Sequence, residues 1–155
     1  MTDEFQLKLI SGEITEDNRK RIHTVKNPLN NSFPEFKLQL PVAYEGPEGE
    51  KGEIVYTPEH FFIAAISGCF LTTFSVVSSN SNFKYNSLII EAKGIVGTST
   101  GEKIMEKIEQ DITLRIPSSE REHKAERVLE ITEDRCPLAK SIKTKINNTY
   151  KIIFE

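Results

Sequence analysis

The sequence predicts an α+β protein in which runs of strands are separated by two helices. Three observations carry this. Apolar and polar residues alternate at Phe5, Leu7 and Leu9 and again at Phe36, Leu38, Leu40 and Val42, the period of a half-buried strand. No charged residue occurs from Phe61 to Ser79, long enough for a helix buried on several sides. Beyond it, two strand-like runs precede an amphipathic helix and a last strand. A chain of 155 residues fits a single domain, 1–155, with a core of its own.

The first strand is expected around Phe5 to Leu9, and Gly12 with the polar run to Asn18 makes a turn. Arg19 to Val25 forms the return strand, which puts Arg19 and Arg21 on one face of it. Asn27 to Pro34 is loop by composition. Pro41 ends the third strand or holds it at a sheet edge, and the Gly- and Glu-rich tract Glu45 to Glu53 reads as an exposed loop. The long helix follows, with Thr57 as N-cap, Pro58 in the first helical position and an end near Ser78.

Leu88 to Val96 and Ile104 to Ile116 are the next strands. Ile108, Ile112, Leu114 and Ile116 share one face of the latter, while Glu109, Asp111, Thr113 and Arg115 share the other. Ser119 and Glu122 form a capping box for the second helix, whose apolar stripe is Ala125, Val128, Leu129 and Thr132. Cys136-Pro137 interrupts it, a short helix follows, and Thr149 to Phe154 closes the fold. The first helix is apolar nearly all round, through Phe61, Phe62, Ala65, Ile66, Phe70, Phe74 and Val77. Such a helix needs cover on several sides, and one small sheet supplies one side, so a second subunit is the expected remainder.

The composition, 37% hydrophobic and 28% charged with a net charge of -3, argues against a nucleic-acid surface, which needs a basic face. The uncharged stretch has the length of a membrane span, but its Ser and Thr content and the lack of a basic flank favour a core helix. The first ten residues show neither the basic nor the apolar region of a secretory signal, so a cytoplasmic location is expected. In that reducing compartment a structural disulfide is unusual. The two cysteines are therefore either small buried thiols or a redox pair.

Cys69 lies mid-helix between Gly68 and Phe70 and, by pattern alone, reads as an inert core thiol with a raised pKa. Cys136 precedes Pro137 and so occupies a helix N-cap, where unpaired N–H groups and the helix dipole lower a thiol pKa. His60 falls on the helix face opposite Cys69, and His23 and His123 have no clustered partners, so neither a Cys-His pair nor a metal-ligand spacing is present. No Gly-rich phosphate loop occurs.

The segment Tyr56 to Phe70 (YTPEHFFIAAISGCF) with the later Cys136 to Lys140 (CPLAK) resembles the OsmC/Ohr family. Members carry Pro-Glu before an apolar helix, a Cys ten residues after the Glu, and a late Cys-Pro at a helix start. Pro58, Glu59, Cys69, Cys136 and Pro137 match this pattern, and the element order matches along nearly the whole chain. The resemblance implies an OsmC-like fold, with a long central helix wrapped by antiparallel sheet in an intertwined homodimer. It implies thiol-dependent reduction of hydroperoxides, organic ones especially, with Cys69 peroxidatic, Cys136 resolving and an external dithiol as reductant. No metal, flavin or haem is implied.

In the family an arginine held by the Pro-Glu glutamate, here Glu59, supports the peroxidatic thiolate. Ten helical residues separate Glu59 from Cys69, about 15 Å, so an arginine must bridge them or Glu59 must serve the partner's cysteine. Some relatives place the arginine about twenty residues before the first Cys, where Val42 to Tyr56 holds none. Others place it at the first N-terminal turn, which leaves Arg21 first and Arg19 close behind. The aromatic residues Phe61, Phe62, Phe70 and Phe74 suggest an apolar pocket and hence alkyl or lipid hydroperoxides. The alternatives are a redox sensor and a hydrophobic-ligand-binding protein without efficient turnover.

Overall fold

The computed structural model describes residues 2–41 and 55–155. The expected loop Glu45 to Glu53 and the strand position Val42 lie outside the described residues. The element order is β1 (Lys8–Ile10), β2 (His23–Lys26), β3 (Phe36–Leu38), α1 (Pro58–Asn80), β4 (Ser87–Gly97), β5 (Ile104–Ile116), α2 (Glu122–Arg135), α3 (Pro137–Lys140) and β6 (Lys145–Phe154). It is the predicted mixture of helix and sheet. The chain forms two compact units, Met1–Phe61 and Phe62–Glu155.

In the first unit β1, β2 and β3 pair antiparallel in that order. The strands are shorter than the alternation suggested. Phe5 lies before β1, and Phe5, Leu7 and Leu9 are exposed rather than half-buried. The predicted return strand also starts late. Asn18–Lys20 forms a 3-10 turn whose cap is Asp17, its side chain accepting from the Arg19 N–H, and β2 begins only at His23. A local Asx cap here outcompetes the strand, so Arg19 and Arg21 do not share a strand face. The loop after β2 forms as predicted, with Asn27 Oδ1 accepting from the N–H groups of Leu29 and Asn30.

Thr57 caps α1 as expected. Its Oγ1 accepts from the His60 N–H at 3.3 Å, and the Thr57 N–H in turn reaches His60 Nδ1 at 3.1 Å. This is the reciprocal logic of a capping box with His in the Glu position.

In the second unit β4, β5 and β6 form a sheet in that order. The β4–β5 pair is antiparallel and the β5–β6 pair parallel. A parallel neighbour requires a crossover, and α2 with α3 supplies it. The predicted inner face of β5 is confirmed: Ile108, Ile112, Leu114 and Ile116 are all buried. Ile112, Leu114 and Ile116 pack with Phe70, Phe74 and Val77 of α1 and Ala125, Val128 and Leu129 of α2 in the main core. Each of the larger side chains among them contributes roughly 1.5–3 kcal/mol through burial. α1 approaches β4 so closely that a Cβ on Gly94 would meet Ile63 Cδ1 at 2.6 Å and Met105 Sδ at 2.7 Å; glycine permits the contact.

α2 starts later than its predicted capping box. Arg121 is the N-cap and makes no side-chain cap bond, while Ser119 lies in the turn before it. α1 buries only one face, through Ile66, Phe70, Phe74, Val77 and Ser78. Ala64, Ala65, Leu71, Thr72, Ser75 and Val76 form an exposed, uncharged stripe on the other. By length and composition α1 is apolar enough to cross a membrane.

Candidate functional site

The second unit brings the two cysteines together. Cys69 lies midway along α1 and is half-buried, with Thr73 Oγ1 one turn on at 3.9 Å from its sulfur. Cys136 closes α2, its N–H donating to Thr132 O at 3.1 Å, and is at the same time the N-cap of α3. Only 2% of it is exposed. The Cys69 side chain lies near enough to act on the Cys136 thiol, although the two residues stand 67 positions apart in the sequence.

The expected acidity of Cys136 is corrected by this geometry. Burial, followed by the neighbouring Cys69 side chain, pushes the Cys136 thiol up to about 11. The N–H groups of Ala139 and Leu138 at the helix start pull it down, as the N-cap position predicts, but by less. α3 is only four residues long, too short to build much of a dipole. Cys69, read from pattern as the buried thiol, is the more accessible of the pair.

The residues expected to supply supporting charge lie in the first unit. Glu59 stands on the first turn of α1, and its Oε2 is buried without a hydrogen-bond partner among the described residues. Arg19 pairs with Asp17, Nη2 to Oδ2 at 2.7 Å, and holds that carboxyl below the usual range through this bond first of all. Arg21 donates from Nε to Asn18 Oδ1 at 3.0 Å and from Nη1 to Gly12 O at 3.5 Å. Neither arginine therefore hydrogen-bonds to that Glu59 oxygen. An orphaned buried carboxylate oxygen is costly, and it suits a residue built to receive a guanidinium.

Of the aromatics expected in an apolar pocket, Phe74 serves the core instead, while Phe70 both joins the core and lines a cavity beside Cys136. Phe74 is fully buried against Phe83 and Tyr85, and Phe70 stacks near Tyr150. Beside Cys136 is a cavity of about 190 Å³, lined among others by Ile66, Gln110, Glu133, Lys140 and Asn148. Its polar wall escaped the sequence reading. The signal was present: Gln110 interrupts the apolar inner face of β5 between Ile108 and Ile112, and a polar residue at an inward position needs partners. It finds them in Ser67, whose Oγ donates to Gln110 Oε1 at 2.7 Å, and Asn148, whose Oδ1 accepts from Gln110 Nε2 at 2.8 Å. No group of three or more His, Cys, Asp or Glu converges on a metal position among the described residues.

A cysteine on a long helix near a second cysteine at a Cys-Pro bend, inside an α+β fold, is the arrangement found here. The profile of the OsmC-like protein family matches residues 49–151, and the chain belongs to that family. Among solved structures, an OsmC-like protein from Mycoplasma pneumoniae superimposes with a TM-score of 0.74 at 16% identity, covering 99% of each chain. An OsmC-like protein of unknown function from Vibrio cholerae gives 0.74 at 18% identity, covering 96% of this chain and 100% of that one. An organic hydroperoxide resistance protein from Elizabethkingia anophelis gives 0.67 at 19% identity, covering 100% of both. The comparison with curated proteins gives no match.

Proposed function

We propose that this chain reduces organic hydroperoxides with Cys69 as peroxidatic and Cys136 as resolving cysteine. The observation that carries the reading is the proximity of the two thiols, Cys69 the more accessible and Cys136 buried at the Cys-Pro bend. Membership of the OsmC-like family supports it, as does the likeness in fold to an organic hydroperoxide resistance protein. In the first step the Cys69 thiolate attacks the terminal peroxide oxygen. An S–O bond forms, the O–O bond breaks, and the alkoxide takes a proton and leaves as alcohol. Cys136 sulfur then attacks the Cys69 sulfenic acid, an S–S bond forms and water departs. An external dithiol restores both thiols by exchange.

Glu59 is assigned to hold an arginine beside the peroxidatic thiolate, with Arg21 or Arg19 as the donor. A homodimer is part of the same proposal, because the exposed uncharged stripe of α1 and the exposed apolar residues around β1 both lack cover. A cytoplasmic setting would keep the thiols reduced between turnovers. The test is dithiol-dependent consumption of an alkyl hydroperoxide. Cys69→Ser loses consumption altogether, whereas Cys136→Ser still consumes one equivalent and stops as a trapped sulfenic acid. Full turnover by Cys69→Ser removes the reading.

One observation favours a second reading, a redox sensor that forms the disulfide without efficient turnover. Arg19 and Arg21 are engaged with Asp17 and with Asn18 and Gly12, and the Glu59 oxygen has no partner among the described residues. Stoichiometric oxidation of wild type without multiple turnovers distinguishes this case.

A further inference from the structure

Cys136 has a difficulty that its own surroundings do not solve. It must ionise to attack Cys69, yet burial keeps its proton on. An exposed carboxylate at the wall of the neighbouring cavity is suited to remove that proton. Glu133 lies in the last turn of α2, three residues before Cys136, a spacing that places two side chains on adjacent parts of one helix face. Both residues line the cavity of about 190 Å³, which has room for bridging water. A carboxylate in the final turn opposes the helix dipole, so helix formation does not account for it.

The polar wall of the cavity converges on this carboxylate. Ser67 donates to Gln110, Gln110 to Asn148 at 2.8 Å, Asn148 to the Tyr150 hydroxyl at 3.3 Å, and Tyr150 to Glu133 Oε2 at 2.8 Å. Every donor in this chain points toward Glu133, which ends it as the terminal acceptor. Tyr150 is held protonated, with burial first and the bond to Glu133 second raising its pKa. It therefore orients the carboxylate without competing for the proton.

We propose that Glu133, oriented by Tyr150, is the base that takes the Cys136 proton when the disulfide forms. This rests on the two-cysteine chemistry proposed above. The thiol proton passes to the Glu133 carboxylate and the sulfur electron pair forms the S–S bond. The Cys69 S–O bond breaks, and the departing hydroxide recovers the proton from Glu133 as water. Tyr150 is a positioning residue in this scheme. The titratable groups facing Cys136 from the surrounding elements are Cys69 on α1, Glu133 on α2 and Lys140 on α3, with Tyr150 of β6 behind Glu133 and Asp134 beside it.

The test needs no peroxide. An aromatic disulfide such as dithiobis(nitrobenzoate) reacts first at the accessible Cys69, releasing one thionitrobenzoate. Cys136 then resolves the mixed disulfide and releases a second. Glu133→Gln keeps an oxygen for Tyr150 but loses the proton acceptor. It is expected to slow the second release about a hundredfold, leave the first unchanged, and move the pH profile of the second phase to more alkaline values. Tyr150→Phe slows the second phase by less. A second phase at the wild-type rate in Glu133→Gln overturns the proposal, as does equal slowing of both phases, which would mean a structural role. Wild type that resolves the mixed disulfide but consumes no hydroperoxide refutes the peroxidase reading while leaving the Glu133 result to be read on its own.

Discussion

The two three-stranded sheets of this chain are built from similar residue types and reach different ends. The first has strands of three, four and three residues, the second of eleven, thirteen and ten. Around the first, Phe5 is 92% exposed and Leu9 62%, whereas Ile108, Leu114 and Ile116 of the second are completely buried. The second sheet has α1 and α2 packed on its inner face. Alternation of apolar residues therefore specifies which side of a strand is to be covered, and a packed neighbour decides whether it is. Exposed apolar side chains are where an interaction surface is sought, which is why the dimer proposal looks to this part of the chain.

The contrast is broken or sharpened most strongly by paired substitutions. Ile112→Ala, in the packed sheet, should lower the unfolding free energy by about 2–5 kcal/mol in urea titrations. Leu9→Asp should leave the folding of a single chain within about 0.5 kcal/mol but shift sedimentation at micromolar concentration toward the monomer. Equal folding losses at the two sites would erase the distinction. At the helix that follows the first sheet, Thr57→Ala removes the α1 cap and should cost about 0.5–2 kcal/mol, read as a lower thermal midpoint.

The smallest effect concerns pH and belongs to the second unit. The Cys136 thiol has a folded pKa of about 11 against an ordinary value of 9.0, so the folded chain holds this proton more tightly than the unfolded one. The resulting stability is fully present below pH 9 and is lost as pH rises through 11. Denaturation midpoints measured across that window should fall less steeply for Cys136→Ser than for wild type. The slope that remains belongs to other groups, Tyr150 among them, whose pKa is also raised.

Legibility differed by residue for physical reasons. β5 and the stripe Ala125, Val128, Leu129, Thr132 could be read because each is periodic and buried against a neighbour, and α1 because it runs long and uncharged from a capped start. β1 and the Arg19 region could not, because Asp17 caps a local turn that three-residue strands cannot outbid. Of the candidate site, Cys69 and Cys136 were visible from motif spacing. Their relative burial was not, since a small helix neighbour such as Gly68 does not say which side of α1 is covered. Glu133 and the Ser67–Gln110–Asn148–Tyr150 chain were missed because their partners come from four separate elements.

Sequence alone determined the fold class, the long uncharged helix and the two cysteines with their motif, since these depend on local periodicity and on residue spacing. Tertiary structure decided which thiol is buried, where Arg19 and Arg21 make their bonds, and what faces Cys136. Those properties depend on desolvation and on groups far apart in the chain. For Cys136 the local helix start and the global burial act in opposite directions, and burial prevails because its contribution is the larger.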